Sequence, residues 1–141
     1  MAVKAIPDGF HSVTPYLLVE DGAKLIDFVR QAFGAEQIER MEDPDGTVRH
    51  AQVKIGDSFV MLGKPHGEAM PASLYLYVPD CDAVYERALA AGATSIMKPA
   101  DQFYGDRGAG VTGPCGNIWW IGTHIEDVSP EELHRRAAEA P

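Results

Sequence analysis

Residues 16–21 have the sequence YLLVED, from Tyr16 to Asp21, and a similar stretch, YLYVPD, runs from Tyr75 to Asp80. Each stretch is an apolar, strand-forming run that ends in an aspartate suited to cap a helix. Apolar residues at helical spacing follow both aspartates, and Gly34 and Gly92 supply the two helix stops. The chain therefore repeats the order of strand, cap and helix.

Three short strand-like runs follow each helix, separated by glycine- and proline-containing turn signals. In the first half these runs cover residues 36–41, 48–55 and 59–62, with turns at 43–46 and 56–57. In the second half they cover residues 94–98, 108–112 and 118–121, with turns at 105–106 and 113–116. The repeated unit is therefore predicted to be βαβββ.

This repeat predicts an α+β fold in one domain over residues 1–141, built from two tandem βαβββ modules at about 10–63 and 72–124. A C-terminal helix at about 129–139 is predicted from Ser129 as cap and Pro130 at the first helical position. A sheet covered by one helix leaves its other face open. We therefore expect the modules to form a half-open mixed β-sheet around a pocket.

Composition excludes several classes of partner. The formal net charge is −9, from 21 acidic and 12 basic residues, which disfavours nucleic acid. Because no run of about eighteen apolar residues occurs, no membrane contact is predicted. Cys81 and Cys115 are the only cysteines and have no CxxC spacing, which favours a cytoplasmic location. Cys81 is expected in a first helical turn, which can lower a thiol pKa.

Three motifs in the second half carry a resemblance to a known family. They are YGDR at 104–107, GNIW at 116–119 and THIEDVS at 123–129. Together with the two βαβββ units, they resemble the vicinal-oxygen-chelate superfamily, and within it the PhnB-like branch of glyoxalase/bleomycin-resistance proteins. The resemblance implies a site for a small-molecule ligand and a homodimer.

The metalloenzymes of that family hold a divalent ion with side chains from the first and last strands of each unit. The matching positions in this sequence are Thr14, Ser73 and Trp120, together with Val60 or, if the register slips by one residue, Met61. These side chains do not suit a hard cation. We therefore predict no metal site and no cofactor.

Alternation along a strand separates side chains that face the helix from side chains that face the pocket. In the 48–55 strand, Ala51, Val53 and Ile55 are assigned to the helix side, which leaves Val48, His50, Gln52 and Lys54 on the open side. The same sorting of the other strands, together with the loop that contains Tyr104 and Arg107, predicts an aromatic-rich ligand site. Its predicted ligand-binding residues are Thr14, Tyr16, Gln52, Ser73, Tyr75, Tyr77, Tyr104, Arg107 and Trp120.

His50 is the candidate catalytic residue, because an imidazole in an apolar cavity could act as a general base or orient a ligand oxygen. Equally, a neighbouring carbonyl or tyrosine hydroxyl could satisfy it. A two-histidine metal site with His11 or His66 is a further alternative, although no spacing supports it. His124 precedes the C-terminal helix and is attributed to the helix entry rather than to catalysis.

Arg107 could contact an anionic group of the ligand or pair with Asp106 to stabilise the loop. Phe103 and Tyr104 precede the same turn and could form a lid or simply pack.

The leading functional prediction is a metal-independent small-molecule binding protein that binds or sequesters an aromatic or drug-like ligand. The alternative is a lyase, isomerase or dioxygenase of the same superfamily that uses His50 as base or in an unusual metal site. In a third hypothesis, the predicted aromatic surface binds another protein chain rather than a small molecule. The aromatic rings could also fill the space between the modules and leave a closed core.

Overall fold

The computed structural model describes residues 3–140 and contains eight strands and three helices over that range. The first half comprises β1 (Tyr16–Leu18), α1 (Gly22–Phe33), β2 (Glu36–Glu42), β3 (Val48–Ile55) and β4 (Ser58–Gly63). The second half comprises β5 (Ser73–Tyr77), α2 (Cys81–Ala90), β6 (Thr94–Asp101), β7 (Asp106–Thr112) and β8 (Ile118–His124). Helix α3 (Pro130–Glu139) follows both halves.

Each half forms its own four-stranded mixed sheet. Sheet A has the order β1-β4-β3-β2 and sheet B has the order β5-β8-β7-β6. The β1–β4 and β5–β8 pairs are parallel and the other pairs are antiparallel. Each helix carries the chain from one edge strand to the opposite edge, and so covers one face of its sheet. The predicted α+β fold of two βαβββ modules with a C-terminal helix is confirmed. The mixed sheet that was predicted around one pocket is instead two separate four-stranded sheets, one in each half.

The helix starts follow from the residues that precede them. The Asp21 carboxylate accepts a hydrogen bond from the backbone N–H of Lys24 at 3.1 Å, and Asp80 accepts one from Ala83 at 3.1 Å. Ser129 caps α3 in the same way. Helix α3 buries none of its residues and lies on the surface. Among residues 3–140, no helix has the length and apolar character needed to cross a membrane.

One hydrophobic core joins the two halves. Helices α1 and α2 pack against each other and against the helix-bearing faces of the sheets. The rings of Phe33 and Trp119 meet across the halves with centroids 4.9 Å apart. The opposite sheet faces are open to solvent, since Tyr16, Tyr75 and Tyr77 are 51%, 44% and 62% exposed. The interpretation in which these rings fill a closed core is therefore wrong.

Strand β3 departs from simple alternation at its start. Met41 pairs with His50 and Glu42 pairs with Val48, so Arg49 is an extra residue without a partner in the ladder. Such a bulge reverses the phase of alternation. Val48 is consequently 2% exposed and belongs to the core, so its assignment to the open side was wrong.

Three strands of sheet B are longer than the sequence predicted, and β6 runs to Asp101 rather than ending at residue 98. Strand β7 begins at Asp106 rather than at residue 108, and β8 continues to His124 rather than ending at residue 121. Both residues were attributed to turns or loops. Their place in strands brings them onto the sheet.

Candidate functional site

A nearly buried carboxylate lies at one end of the open face of sheet B, where β7 begins and β8 ends. Asp106 is 3% exposed, and its Oδ2 atom accepts hydrogen bonds from the hydroxyls of Tyr75 and Tyr77, both at 2.8 Å. Its Oδ1 atom lies 2.9 Å from Nδ1 of His124, whose Nε2 atom lies 2.7 Å from Asp127. We call Asp106, Tyr75, Tyr77 and His124 the Asp106 cluster.

The Asp106 cluster follows from the strand order of sheet B. Tyr75 and Tyr77 are two residues apart on β5 and therefore share one face. Asp106, the first residue of β7, pairs directly with His124, the last residue of β8. Since β8 lies between β5 and β7, the four side chains converge on one place. The sequence pattern predicted the two tyrosines as ligand-binding residues, whereas Asp106 was attributed to a turn and His124 to the entry of the C-terminal helix.

Hydrogen bonding determines the charge state of the cluster. Burial raises the pKa of Asp106, but hydrogen bonds from His124, Tyr75 and Tyr77 outweigh burial and hold that pKa below its ordinary value. Burial, followed by the hydrogen bond to Asp106, raises the pKa of Tyr75. The hydrogen bond from Tyr77 to Asp106 raises the pKa of Tyr77. The bond to Asp106, followed by the bond to Asp127, raises the pKa of His124. The cluster therefore combines a carboxylate with neutral phenols and an imidazole stabilised in its charged form.

We expect the folding stability to depend on the protonation of His124. Its pKa in the folded protein is raised from the ordinary value of 6.5, so its contribution is complete below that value and is lost as pH rises through the folded pKa. Thermal unfolding measured from pH 5.5 to 9 should show this loss in the wild-type protein. The His124→Gln variant should lack that part of the pH dependence.

His134 provides the matched control, because it is exposed on α3 and has no carboxylate partner among residues 3–140. His134→Gln should keep the wild-type pH dependence of the unfolding temperature. The same pH dependence in His124→Gln and in the wild-type protein would contradict a stabilising imidazolium at this position.

Aromatic rings lie flat on sheet B because glycines lie beneath them. A Cβ atom at Gly122 would lie 2.5 Å from the hydroxyl oxygen of Tyr75, and one at Gly110 would lie 2.5 Å from the Trp120 ring. The Trp120 Nε1–H group donates to the Ser73 hydroxyl at 3.1 Å, which fixes the orientation of the indole. The result is an aromatic surface, formed by Tyr75, Tyr77 and Trp120, which we call the aromatic face.

The remaining predicted residues of the strands lie on sheet A. Tyr16 covers Gly63 as Tyr75 covers Gly122, since a Cβ atom at Gly63 would lie 2.7 Å from the Tyr16 hydroxyl. The His50 ring meets the Tyr16 ring at a centroid distance of 5.8 Å. The predicted site is therefore divided between two separate sheet faces. Tyr16, His50 and Gln52 belong to sheet A, with Thr14 just before β1 and beside Gln52, and Ser73, Tyr75, Tyr77 and Trp120 belong to sheet B.

Arg107 does not pair with Asp106, so that predicted pair was wrong. Its Nε and Nη2 atoms donate to Asp82 of α2 at 2.6 and 2.9 Å, and its Nη1 atom donates to Asp101 at 3.0 Å. Successive residues of a strand point to opposite sides of the sheet. The Asp106 side chain therefore lies on the same side of sheet B as the aromatic face, and the Arg107 side chain lies on the side covered by α2. The ligand contact predicted for Arg107 has no support from this placement.

Tyr104 lies beside the C-terminal helix. It is 39% exposed, and its ring meets the Phe103 ring edge-on at a centroid distance of 5.3 Å. Both rings line a groove of about 450 Å³ with Leu133 and Ala137 of α3. Its predicted role in ligand binding, and the possible lid, stay predictions.

The strand register identifies the position in sheet A that corresponds to Trp120. Tyr16 pairs with Met61 and Tyr75 pairs with Trp120, so the equivalent of Trp120 is Met61. Val60 is 6% exposed on the helix side, and its assignment to this position was wrong.

The side chains at the family's metal positions do not fit a divalent cation. Thr14 and Ser73 offer hydroxyls, Met61 offers a thioether, and Trp120 has only a donor N–H, which is already bonded to Ser73. Over residues 3–140, no three His, Cys, Asp or Glu side chains are grouped as a metal site. Metal independence itself stays a prediction.

The cysteines do not have the features of reactive thiols. Cys81 begins α2 as predicted, but burial raises the pKa of its thiol. Burial also raises the pKa of Cys115. Burial of the thiol therefore opposes the lowering of pKa that a position in a first helical turn can give.

Comparison with known proteins identifies relatives of this chain by sequence and by fold. The family model described as Glyoxalase/Bleomycin resistance protein/Dioxygenase superfamily matches residues 9–121. The chain is 35% identical over 146 residues to the uncharacterized protein Mb0911c of Mycobacterium bovis, with 94% of this chain and 93% of that protein covered. It shows the same identity to the uncharacterized protein Rv0887c of Mycobacterium tuberculosis, covering 94% of this chain and 84% of that protein.

Two solved structures have the same fold. TioX from Micromonospora sp. ML1 superposes with a TM-score of 0.71 at 25% identity, over 82% of this chain and 99% of TioX. The PhnB protein from Bacillus cereus superposes with a TM-score of 0.65 at 19% identity, over 80% of this chain and 99% of that one. The chain belongs to the Glyoxalase/Bleomycin resistance protein/Dioxygenase superfamily.

Proposed function

We propose that the protein binds a planar aromatic small molecule on the aromatic face of sheet B, without a metal ion. The observation that carries this proposal is the exposure of Tyr75 and Tyr77, at 44% and 62%, while the nearly buried carboxylate of Asp106 holds both hydroxyls. Exposed apolar rings of this size mark interaction surfaces. Rings already fixed in one orientation lose little conformational entropy when a ligand stacks on them.

The shape of the face supports a flat ligand. The glycines beneath the rings allow Tyr75 and Trp120 to lie against the sheet, which leaves room above them. The ring centroids of Tyr75 and Tyr77 are 5.0 Å apart and their planes are tilted by 49°, so a bicyclic or tricyclic ligand stacked on one ring can contact the other ring with its edge. A ligand hydroxyl or amine could also bond to the phenol oxygens, because each Tyr oxygen can accept as well as donate.

Fluorescence titration with 2-naphthol tests the proposal, since Trp120 lies on the face whereas Trp119 is buried. Binding should quench the half-buried Trp120 indole, persist in EDTA, and weaken about threefold to tenfold in Tyr77→Leu, the cost of one aromatic contact. Tyr16→Leu is the matched control, because it removes a comparably exposed tyrosine from sheet A and should leave the affinity unchanged. Unaltered binding by Tyr77→Leu, or loss of binding in EDTA, would refute the proposal.

We also propose that the protein is cytoplasmic, forms a homodimer and belongs to the PhnB-like branch of its superfamily. Neither cysteine is in a disulfide, which fits a reducing compartment. Exposed apolar side chains on both open faces, including Met41 at 48% on sheet A and Tyr77 at 62% on sheet B, support a subunit interface. The PhnB protein of Bacillus cereus shares the fold.

A further inference from the structure

A recess on the open face of sheet A concentrates basic side chains in a chain whose net charge is −9. The recess has a volume of about 500 Å³ and lies between the start of β3 and the segment after β4. We call it the basic recess. The residues that matter for its chemistry are Tyr16, Asp43, Arg49, His50, Lys64 and His66.

One carboxylate serves two cations in the basic recess. The side chain of Asp43 is 15% exposed, and it accepts hydrogen bonds from Nε of Arg49 and Nζ of Lys64, both at 2.7 Å. The bonds from Lys64 and Arg49 lower the pKa of Asp43, and Asp43 in turn raises the pKa of Lys64. Two positive charges, on Arg49 and Lys64, therefore meet one carboxylate inside the recess, and Asp45, which does not line the recess, adds a weaker attraction to Lys64.

In the second half of the chain, carboxylates fully neutralise the charge of Arg107. Arg107 lies six residues after Asp101, as Arg49 lies six residues after Asp43, and both pairs are bonded. Arg107 is also held by Asp82, so carboxylates occupy both sides of its guanidinium. Arg49 bonds to its aspartate through Nε, and among residues 3–140 no carboxylate accepts a hydrogen bond from its Nη1 or Nη2 atoms.

The difference between the two arginines begins in the sequence. Asp82 lies two residues after the α2 cap Asp80, and the residue two positions after the α1 cap Asp21 is Ala23. Alanine has no acceptor, and Arg49 lies on the open face of sheet A with Tyr16 and His50, whereas Arg107 lies on the side that faces α2. The bulge in β3 also places Arg49 beside His50 at the recess, because a bulge redirects the extra side chain.

We propose that the basic recess binds the oxyanion group, carboxylate or phosphate, of a small organic molecule. The Nη atoms of Arg49 supply the paired donors that fit such a group, Lys64 adds a point charge, and His50 and His66 border the same space. The Tyr16 ring, which meets the His50 ring edge-on, offers a surface for the organic part. This site lies on the opposite sheet from the aromatic face and goes beyond the function proposed for that face.

NMR titration of the full chain with benzoate and with phenyl phosphate, at constant ionic strength, tests the proposal. The amide signals of Tyr16, Arg49, His50 and Lys64 should shift, and the preferred probe distinguishes a carboxylate from a phosphate ligand. Arg49→Met should weaken binding about tenfold or more, because a charge-assisted hydrogen bond contributes about that factor. Lys64→Met should also weaken it, and it carries the test if Arg49→Met does not fold.

Lys54→Met is the matched control, since Lys54 is on the same face of β3 but lies over the Phe59 ring, 5.8 Å from its centroid, outside the recess. It should keep the wild-type affinity for both anions. Benzamide, the neutral analogue of benzoate, should bind much more weakly. Equal affinity for benzamide and benzoate, or equal losses in Lys54→Met and Arg49→Met, would overturn the proposal.

Discussion

Replacing Asp106 by alanine should destabilise the protein and weaken ligand binding at the same time. The carboxylate is 3% exposed and receives bonds from Tyr75, Tyr77 and His124, so its loss removes three hydrogen bonds. Because the tyrosines can turn to solvent, we expect a loss of about 2–3 kcal/mol in unfolding free energy rather than the cost of fully buried donors. Urea denaturation measures that change, and the 2-naphthol titration should show weaker binding because the rings lose their fixed orientation.

Two further variants separate the role of Asp106 from a general loss of charge. Asp106→Asn keeps one carbonyl acceptor and should lie between the wild-type protein and Asp106→Ala in both measurements. Asp101→Ala removes a carboxylate from β6 whose side chain is 68% exposed, and should change stability by less than about 1 kcal/mol. Equal destabilisation by Asp101→Ala and Asp106→Ala would show that the cluster contributes no more than a surface ion pair.

Gly105→Ala should be the most destabilising substitution that we consider. Gly105 has φ +98, and a Cβ atom there would lie 2.2 Å from the backbone oxygen of Glu126. The carbonyl of Gly105 also accepts the N–H groups of Ile125 and Glu126, at 2.9 and 3.0 Å, so neither segment can move without breaking these bonds. We expect a loss of about 4 kcal/mol or more, from the backbone clash together with left-handed strain.

Gly116 provides the control for the backbone angle. It has a similar φ of +89, but a Cβ atom at Gly116 would meet nothing within 4 Å. Gly116→Ala should therefore cost only the left-handed strain, about 1–2 kcal/mol. Denaturation curves of the two variants give the difference directly, and equal losses would show that the contact with Glu126 relaxes freely.

The fold could be predicted because its signals are local and occur twice. Asp21 and Asp80 each precede a helical pattern, and both carboxylates cap their helices in the structure. The alternation in β5 and in most of β3 correctly separates core from open face, as for Tyr75 and Ala51. The bulge at Arg49 has no such signal, since it depends on the pairing of β3 with β2, and the error for Val48 follows from it.

The Asp106 cluster was missed because β7 was predicted to begin two residues too late and β8 was predicted to end three residues too early. Gly105 predicts a turn, and Asp106 was included in it, although the turn ends at Gly105 and the strand begins directly afterwards. The alternation itself contained the missing signal, because Asp106 shares parity with Gly108 in β7. His124 likewise shares parity with Trp120 in β8. Which side chains meet across β5, β8 and β7 depends on strand order, which local patterns do not specify.

The contact of a tyrosine ring with a strand glycine occurs once in each half, between Tyr16 and Gly63 and between Tyr75 and Gly122. The two halves thus keep the same backbone arrangement under a ring while their surroundings differ, with Arg49 and Lys64 near the first ring and Asp106 beside the second. Each half therefore serves as an internal reference for the other. Ligand preference on one face can be re-engineered while the other face of the same molecule reports whether the scaffold has stayed intact.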